Sequence, residues 1–222
     1  MSMRSTILIA ILMVAALAAN GQAPTGKGGD PAGAIWGPPS IESPMVRFEP
    51  TVAKEMVKGL NIASWPIVLE KTELIAAQEH FGGTIGNRGD AGNALAWLCL
   101  YRHDTGGSWV LWLESSEIDG GTIGGFRWQQ LDDDPAMDNR CQVVKGGNVS
   151  FNPPRALRIG MKEADVVKEL GQPSMSKGDT AVYEHEHNLT IHSVPYSLSN
   201  IVTITYRDGR VWAVAVTHST VS

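Results

Sequence analysis

Leu170-Gly171-Gln172-Pro173-Ser174-Met175-Ser176-Lys177-Gly178-Asp179 has a counterpart in Phe81-Gly82-Gly83-Thr84-Ile85-Gly86-Asn87-Arg88-Gly89-Asp90. The residue numbers differ by 89 (170 against 81), and at that offset Gly82 falls on Gly171, Arg88 on Lys177, Gly89 on Gly178 and Asp90 on Asp179. The same ungapped offset carries Asp119-Gly120 onto Asp208-Gly209. Punctuation residues repeated at one spacing mark a supersecondary unit used twice. Each copy reads as a helix end, a loop, a strand and a later strand–turn–strand.

Working outward from the second copy, Met161 to Leu170 (MKEADVVKEL) places Ala164, Val167 and Leu170 on an inner face and its charges outside. Gly171 ends that helix and Pro173 blocks its continuation. Strands are expected at 180–186, 189–194, 200–206 and 211–218, with Asp208-Gly209 as a type I′ turn between the last two. Val202, Ile204, Tyr206, Trp212, Val214 and Val216 should share an apolar face.

In the first copy, Val52, Met56 and Leu60 recur at helical spacing, which predicts a short helix over 51–60. Thr72 can cap a second helix running to Phe81, with Leu74, Ile75, Gln78 and Phe81 inward and Gly82 at its end. Strands follow at 94–101, 108–115 and 122–131, and Asp119-Gly120 between the last two reads as a two-residue hairpin. A short edge near 140–144 carries Cys141. The first two strands are apolar on both sides, so both faces are covered or one is exposed and sticky.

The expected fold class is therefore α+β: two tandem modules, each a short helix or helix pair packed on an antiparallel β-sheet. The 222 residues divide into a signal peptide (1–18), a Gly/Pro-rich linker (19–50), a first module (51–146) and a second (147–222). The leader rests on Arg4, an apolar run from Ile7 to about Ala19, and Ala16-Leu17-Ala18 as a small-residue cleavage site. That run is shorter than the roughly 20 residues of a spanning helix, so an exported chain, periplasmic or secreted, with no transmembrane segment after processing is expected. From Ala19 to about Ser43, Ile35, Trp36 and Ile41 are the large apolar side chains, and docking on the domain is expected of them, with service to a partner as the alternative.

Hydrophobic content of 43% suffices for packed cores, and a net charge of −5 without a basic cluster argues against a nucleic-acid partner. Asp132-Asp133-Asp134, the longest like-charge run, reads as a solvated loop. Cys99 and Cys141 are the two cysteines. In an oxidising compartment they read as one disulfide closing a loop of about 42 residues, against the alternative of two buried thiols.

The pattern Ile159-Gly160-Met161, a short helix, Leu170-Gly171-x-Pro173 and a strand–turn–strand around Asp208-Gly209 resembles the small outer-membrane-assembly lipoproteins (SmpA/OmlA, BamE-like). Two such modules in tandem resemble the β-lactamase inhibitor protein (BLIP-like) fold. The resemblance covers about residues 155–218 by motif and 51–131 through the internal offset. It implies fold more than task. The chain lacks the anchoring Cys of those lipoproteins and has two modules where they have one.

Two sets of residues could carry function. Trp97, Tyr101, Trp109, Trp112 and Trp128 concentrate on the first module's strands, and exposed Trp and Tyr on a sheet are binding anchors for another protein. The competing reading buries them against the second module or the N-terminal helix. In the second module, His185 and His187 alternate on one strand and so share a face, with His192 or His218 as a third ligand of a metal site. A solvent-facing polar strand explains the same residues. No G-x-S-x-G elbow and no G-K-[ST] phosphate loop is present. The expectation is a non-enzymatic protein-binding module, inhibitor-, immunity- or envelope-scaffold-like, without a cofactor; a metal carrier or metal-dependent enzyme is the alternative.

Overall fold

A computed structural model describes residues 34–39, 53, 56–90, 92–103, 107–132, 136–146, 148–152, 156–191 and 194–221. The expected leader, most of the linker, Asp133, Asp134 and His192 lie outside them. The strands and helices are β1 (Gly59–Ile62), β2 (Trp65–Val68), α1 (Leu74–Phe81), β3 (Ile85–Arg88), β4 (Leu95–Arg102), β5 (Ser108–Ser116), β6 (Gly125–Leu131) and β7 (Gln142–Val143). They continue with β8 (Val149–Phe151), α2 (Glu163–Leu170), β9 (Met175–Lys177), β10 (Thr180–Ile191), β11 (Val194–Arg207) and β12 (Arg210–Val221).

The repeated stretch does in space what its spacing demands. The two helices begin at Leu74 and Glu163 and end at Gly82 and Gly171, whose φ angles are 82° and 91°. That backbone conformation favours glycine because no Cβ collides. Each cap N–H returns to the carbonyl four residues back, of Gln78 and of Val167. After each helix comes a short strand and then three longer ones.

These strands do not make two modules. They join in one large sheet of order β3-β4-β5-β6-β12-β11-β10-β9, antiparallel throughout, with β7 pairing in parallel on β4 beyond β3. The expected α+β class with two helix-on-sheet modules is thereby overturned: the chain is mostly β, with two eight-residue α-helices among the described residues. The physical reason is the last strand of each half. β6 and β12 would each leave an open edge of unpaired N–H and C=O groups, and pairing them (Trp128 with Val214, Phe126 with Val216) satisfies both.

Residues 51–60 are no helix where they are described. Met56 to Lys58 are irregular and Gly59-Leu60 open β1, which pairs with β2 and β8 in a small antiparallel sheet. Gly59 has φ +156°, and a Cβ there would sit 1.9 Å from the Ile67 carbonyl oxygen. Leu60 and Ile62 are buried at strand spacing, and that alternation wins over the weaker helical one.

Other expectations shift locally. Ile75, expected inward, is exposed, and Leu74 and Ala77 form the buried face of α1; on α2 it is Val166 and Leu170 rather than Ala164 and Val167. Thr72 does not cap α1; its Oγ1 accepts from Val68 N–H at 2.9 Å and closes the preceding turn. Asp119-Gly120 is not a two-residue hairpin. Glu117–Asp119 is a 3₁₀ turn whose Asp119 carboxylate accepts from both Ser116 N–H and Ser116 Oγ, with Gly120 left-handed. Asp208-Gly209 is the tight turn expected, both residues at positive φ. The strands expected at 180–186 and 189–194 run together in β10, which ends at Ile191, and Val194 already belongs to β11.

The first core lies between one face of the large sheet and the helices with the small sheet. Leu98, Leu111, Leu113, Phe126, Val202, Ile204, Val214 and Val216 contribute from the sheet, and Leu60, Ile67, Phe151, Leu74 and Val166 from the cover. A β-bulge at Thr205/Tyr206 sets Val211 opposite Tyr206. Trp212 therefore leaves the apolar face assigned to it, and its ring lies 4.2 Å from the Arg207 guanidinium.

A second core occupies the opposite face of β4 and β5: Trp97, Cys99, Val110, Trp112, Leu131 and Cys141, joined by Ile35, Trp36 and Met137. Cys99 and Cys141 form a disulfide across it. Residues 34–39 lie over it as a strap. Ile35 bridges Met137, Trp112 Nε1–H donates to the Trp36 carbonyl at 3.0 Å, and Arg88 donates to the Pro38 carbonyl at 2.9 Å. Both faces of the apolar strands are thus covered. Among the described residues no helix is long and apolar enough to cross a membrane.

Candidate functional site

Four of the five aromatic side chains expected to anchor a partner are buried, and the fifth, Tyr101, is half-buried. They separate by sheet face. Trp97, Tyr101 and Trp112 belong with the second core, beneath the strap; Trp36 meets Trp97 edge-on at 5.7 Å. Trp109 and Trp128 are on the first face, adjacent across β5 and β6, with ring centroids 6.5 Å apart and planes at 87°. The exposed aromatic sheet face is therefore not present as such. A groove open to a ligand lies beside Trp109 and Trp128.

That groove has a volume of about 600 Å³ and runs between the ends of β5 and β6, β8, and the chain at Leu157–Gly160. Phe151 holds its floor in place, 5.7 Å from Trp128 and 5.6 Å from Phe126. The Trp128 indole N–H is buried with no hydrogen-bond partner among the described residues. Around the indoles stand Arg102, Ser108, Gln130, Asn148, Ser150 and Arg158. Arg102 Nη1 donates to Asn148 Oδ1 at 3.3 Å, which fixes one guanidinium at the mouth. The described lining contains two arginines and no carboxylate. An apolar floor with convergent donors suits a ligand that is part apolar and part anionic.

The His residues are not gathered. His185 and His187 share a face of β10 as strand alternation requires, but His185 Nδ1 engages the Ala53 carbonyl at 3.0 Å and His187 is exposed. His218 is committed elsewhere. Among the described residues no three His, Cys, Asp or Glu side chains are placed to hold a metal ion.

His218 instead belongs to a buried polar clamp. Asn200 Oδ1 accepts from Val57 N–H at 2.9 Å, which fixes the amide orientation, and Asn200 Nδ2–H donates to the Val57 carbonyl at 3.0 Å. The same amide nitrogen donates to His218 Nδ1 at 3.1 Å, so the ring proton sits on Nε2, 3.4 Å from Glu70 Oε2. Glu70 also accepts from Thr220 N–H and Oγ1–H, both at 2.7 Å. The clamp ties residues 57–70 to β11 and β12.

Burial pushes the His218 pKa down, and Lys58 adds to this, against the opposing pull of Glu70 and Asp119. A folded-state pKa below the unfolded one means the unfolded chain binds the proton more tightly. The clamp's contribution is then fully present above about pH 6.5 and lost as pH falls through the folded value. Unfolding by denaturant at about pH 8 and about pH 5 should show a drop in stability toward acid. His218→Gln should flatten that drop, and an equal drop in the variant would refute the assignment.

Sequence reasoning missed the clamp and the cationic rim. Asn200 and His218 continue the apolar alternation of Val202/Ile204 and Val214/Val216, and a polar residue in that phase was the available signal. Arg102 and Arg158 carried none, because a topology is needed to bring them together. No protein-family model, curated protein or solved structure matches the chain.

Proposed function

We propose that this chain is an exported, non-enzymatic protein-binding module that seats a segment of another protein in the Trp109–Trp128 groove. One observation carries the reading: an indole floor lies beside two arginines, with no carboxylate in the described lining. A segment ending in an apolar side chain and a free terminal carboxylate matches both parts of that surface. The disulfide supports an oxidising compartment, and the net charge of −5 speaks against nucleic acid as the partner. An inhibitor-, immunity- or scaffold-type task, the range that the BLIP-like and SmpA/OmlA-like resemblance offers, needs nothing beyond such a groove.

The test is a titration of the purified protein with apolar peptides in free-acid and C-terminally amidated form, followed by tryptophan fluorescence. The free acids are expected to bind about tenfold or more tighter, the scale of a charge-assisted hydrogen bond. Arg158→Glu should abolish the difference. Equal binding of acids and amides, or an unchanged preference in the variant, would count against the groove.

A further inference from the structure

Among the described residues, no strand pairs with the outer edge of the far half of β10. Its even-numbered residues turn their backbone groups away from β11: Val182 O accepts from Ser174 N–H at 2.8 Å, and Glu184 O accepts from Ala53 N–H at 2.8 Å. β9 pairs only with Thr180 to Val182. Beyond Ala53 the outward N–H and C=O groups of Glu186, Asn188 and Thr190 have no partner among the described residues, while β11 pairs with the other side of β10 as far as Ile191. Three residues with the same periodicity therefore offer donors and acceptors in a row, the geometry that accepts an added strand.

The side chains at that edge state the partner's chemistry. Glu184 and Glu186 project from one face, opposite the first core, with Ile201 and Ser199 as uncharged cross-strand neighbours. Glu184 is 8% exposed, and no described side chain forms an ion pair or hydrogen bond with it. Glu186 is exposed and accepts from Ser197 Oγ at 3.1 Å. Burial, and then the charge on Glu186, push the Glu184 pKa up. Two carboxylates on one face without a described counter-charge disfavour each other, and an incoming cation relieves that repulsion. A second copy would not: antiparallel pairing of two such edges puts four carboxylates on one face, and like charges across strands repel.

We propose that an extended segment of another protein, carrying lysine or arginine at alternate positions, adds to the sheet along residues 186–190 and places its cations beside Glu186 and Glu184. This rests on the edge and its charges, independently of the groove. The probe is a short peptide alternating valine with lysine, with a valine–glutamate peptide as control, titrated into the isotope-labelled full chain. Binding of the lysine peptide should slow hydrogen exchange at the amides of Glu186, Asn188 and Thr190, and E184Q/E186Q, which keeps the backbone edge, should weaken it at least tenfold. Four results would overturn the proposal: equal binding of the glutamate peptide, unchanged binding by E184Q/E186Q, exchange protection away from β10, or protection that comes instead from self-association.

Discussion

Replacing Cys99 and Cys141 together by alanine is expected to lower the unfolding free energy by about 4 kcal/mol. The two are 42 residues apart in sequence, and freeing a loop of that length restores that much chain entropy to the unfolded state. For a chain of this size the loss corresponds to roughly 8–16 °C in Tm. The folded state should answer as well. Cys141 lies beside Met137 and Ile35, and the strap over Trp112 is held through that contact. A red shift of tryptophan emission in the folded double variant would report the strap lifting from the second core. Chemical denaturation with and without a reductant checks the first part: the wild type under reduction should approach the variant, and a difference below about 1 kcal/mol would exclude the disulfide as a main support.

Phe151→Ala is expected to cost about 3–5 kcal/mol, the range for emptying a well-packed aromatic site. Phe151 is fully buried, pairs with Leu60 across the small sheet, and packs on Phe126 and Trp128 of the large one. It is therefore the peg that fixes one sheet on the other. Phe151→Leu should cost much less, because most of the volume and all of the apolar character remain. If the groove binds as proposed, the leucine variant should fold and yet bind more weakly, since Trp128 loses the ring that backs it. Equal losses in the two variants would show that the site collapses around any substitution.

Much of this architecture could be read from the chain. Glycine at 82 and 171 announced two helix ends, and both occur in the same unusual backbone conformation. The apolar runs ALAWLCLY and SWVLWLES announced strands with two covered faces. That Ile35 and Trp36 dock on the domain was readable from their residue type, but that they cover the second face of β4 and β5 was not, because they lie in a segment whose composition says linker. The same limit hid the groove. Trp109 and Trp128 stood out by residue type, but the arginines beside them come from the end of β4 and from the chain after β8.

Local signals failed where a tertiary or side-chain interaction competed with them. Asp119-Gly120 and Asp208-Gly209 are identical dipeptides at the repeat spacing, yet only the second makes a two-residue hairpin. In the first, Ser116 supplies two donors to the Asp119 carboxylate, and the chain closes a 3₁₀ turn instead. Val52, Met56 and Leu60 imitate a helix, but a glycine at an extended positive φ cannot continue one at Gly59.

The seam between β6 and β12 has a consequence for how the protein is made. During synthesis the strands up to β6 are complete long before β12 emerges, so a sheet edge waits for a partner from the far end of the chain. Such long-range pairing is slow, and a waiting edge can accept the matching strand of a neighbouring molecule. Crowded nascent chains would then exchange their last strands, giving intertwined dimers in which each seam is complete but shared. Dilution during refolding should favour the monomer, because closure within one chain does not depend on concentration.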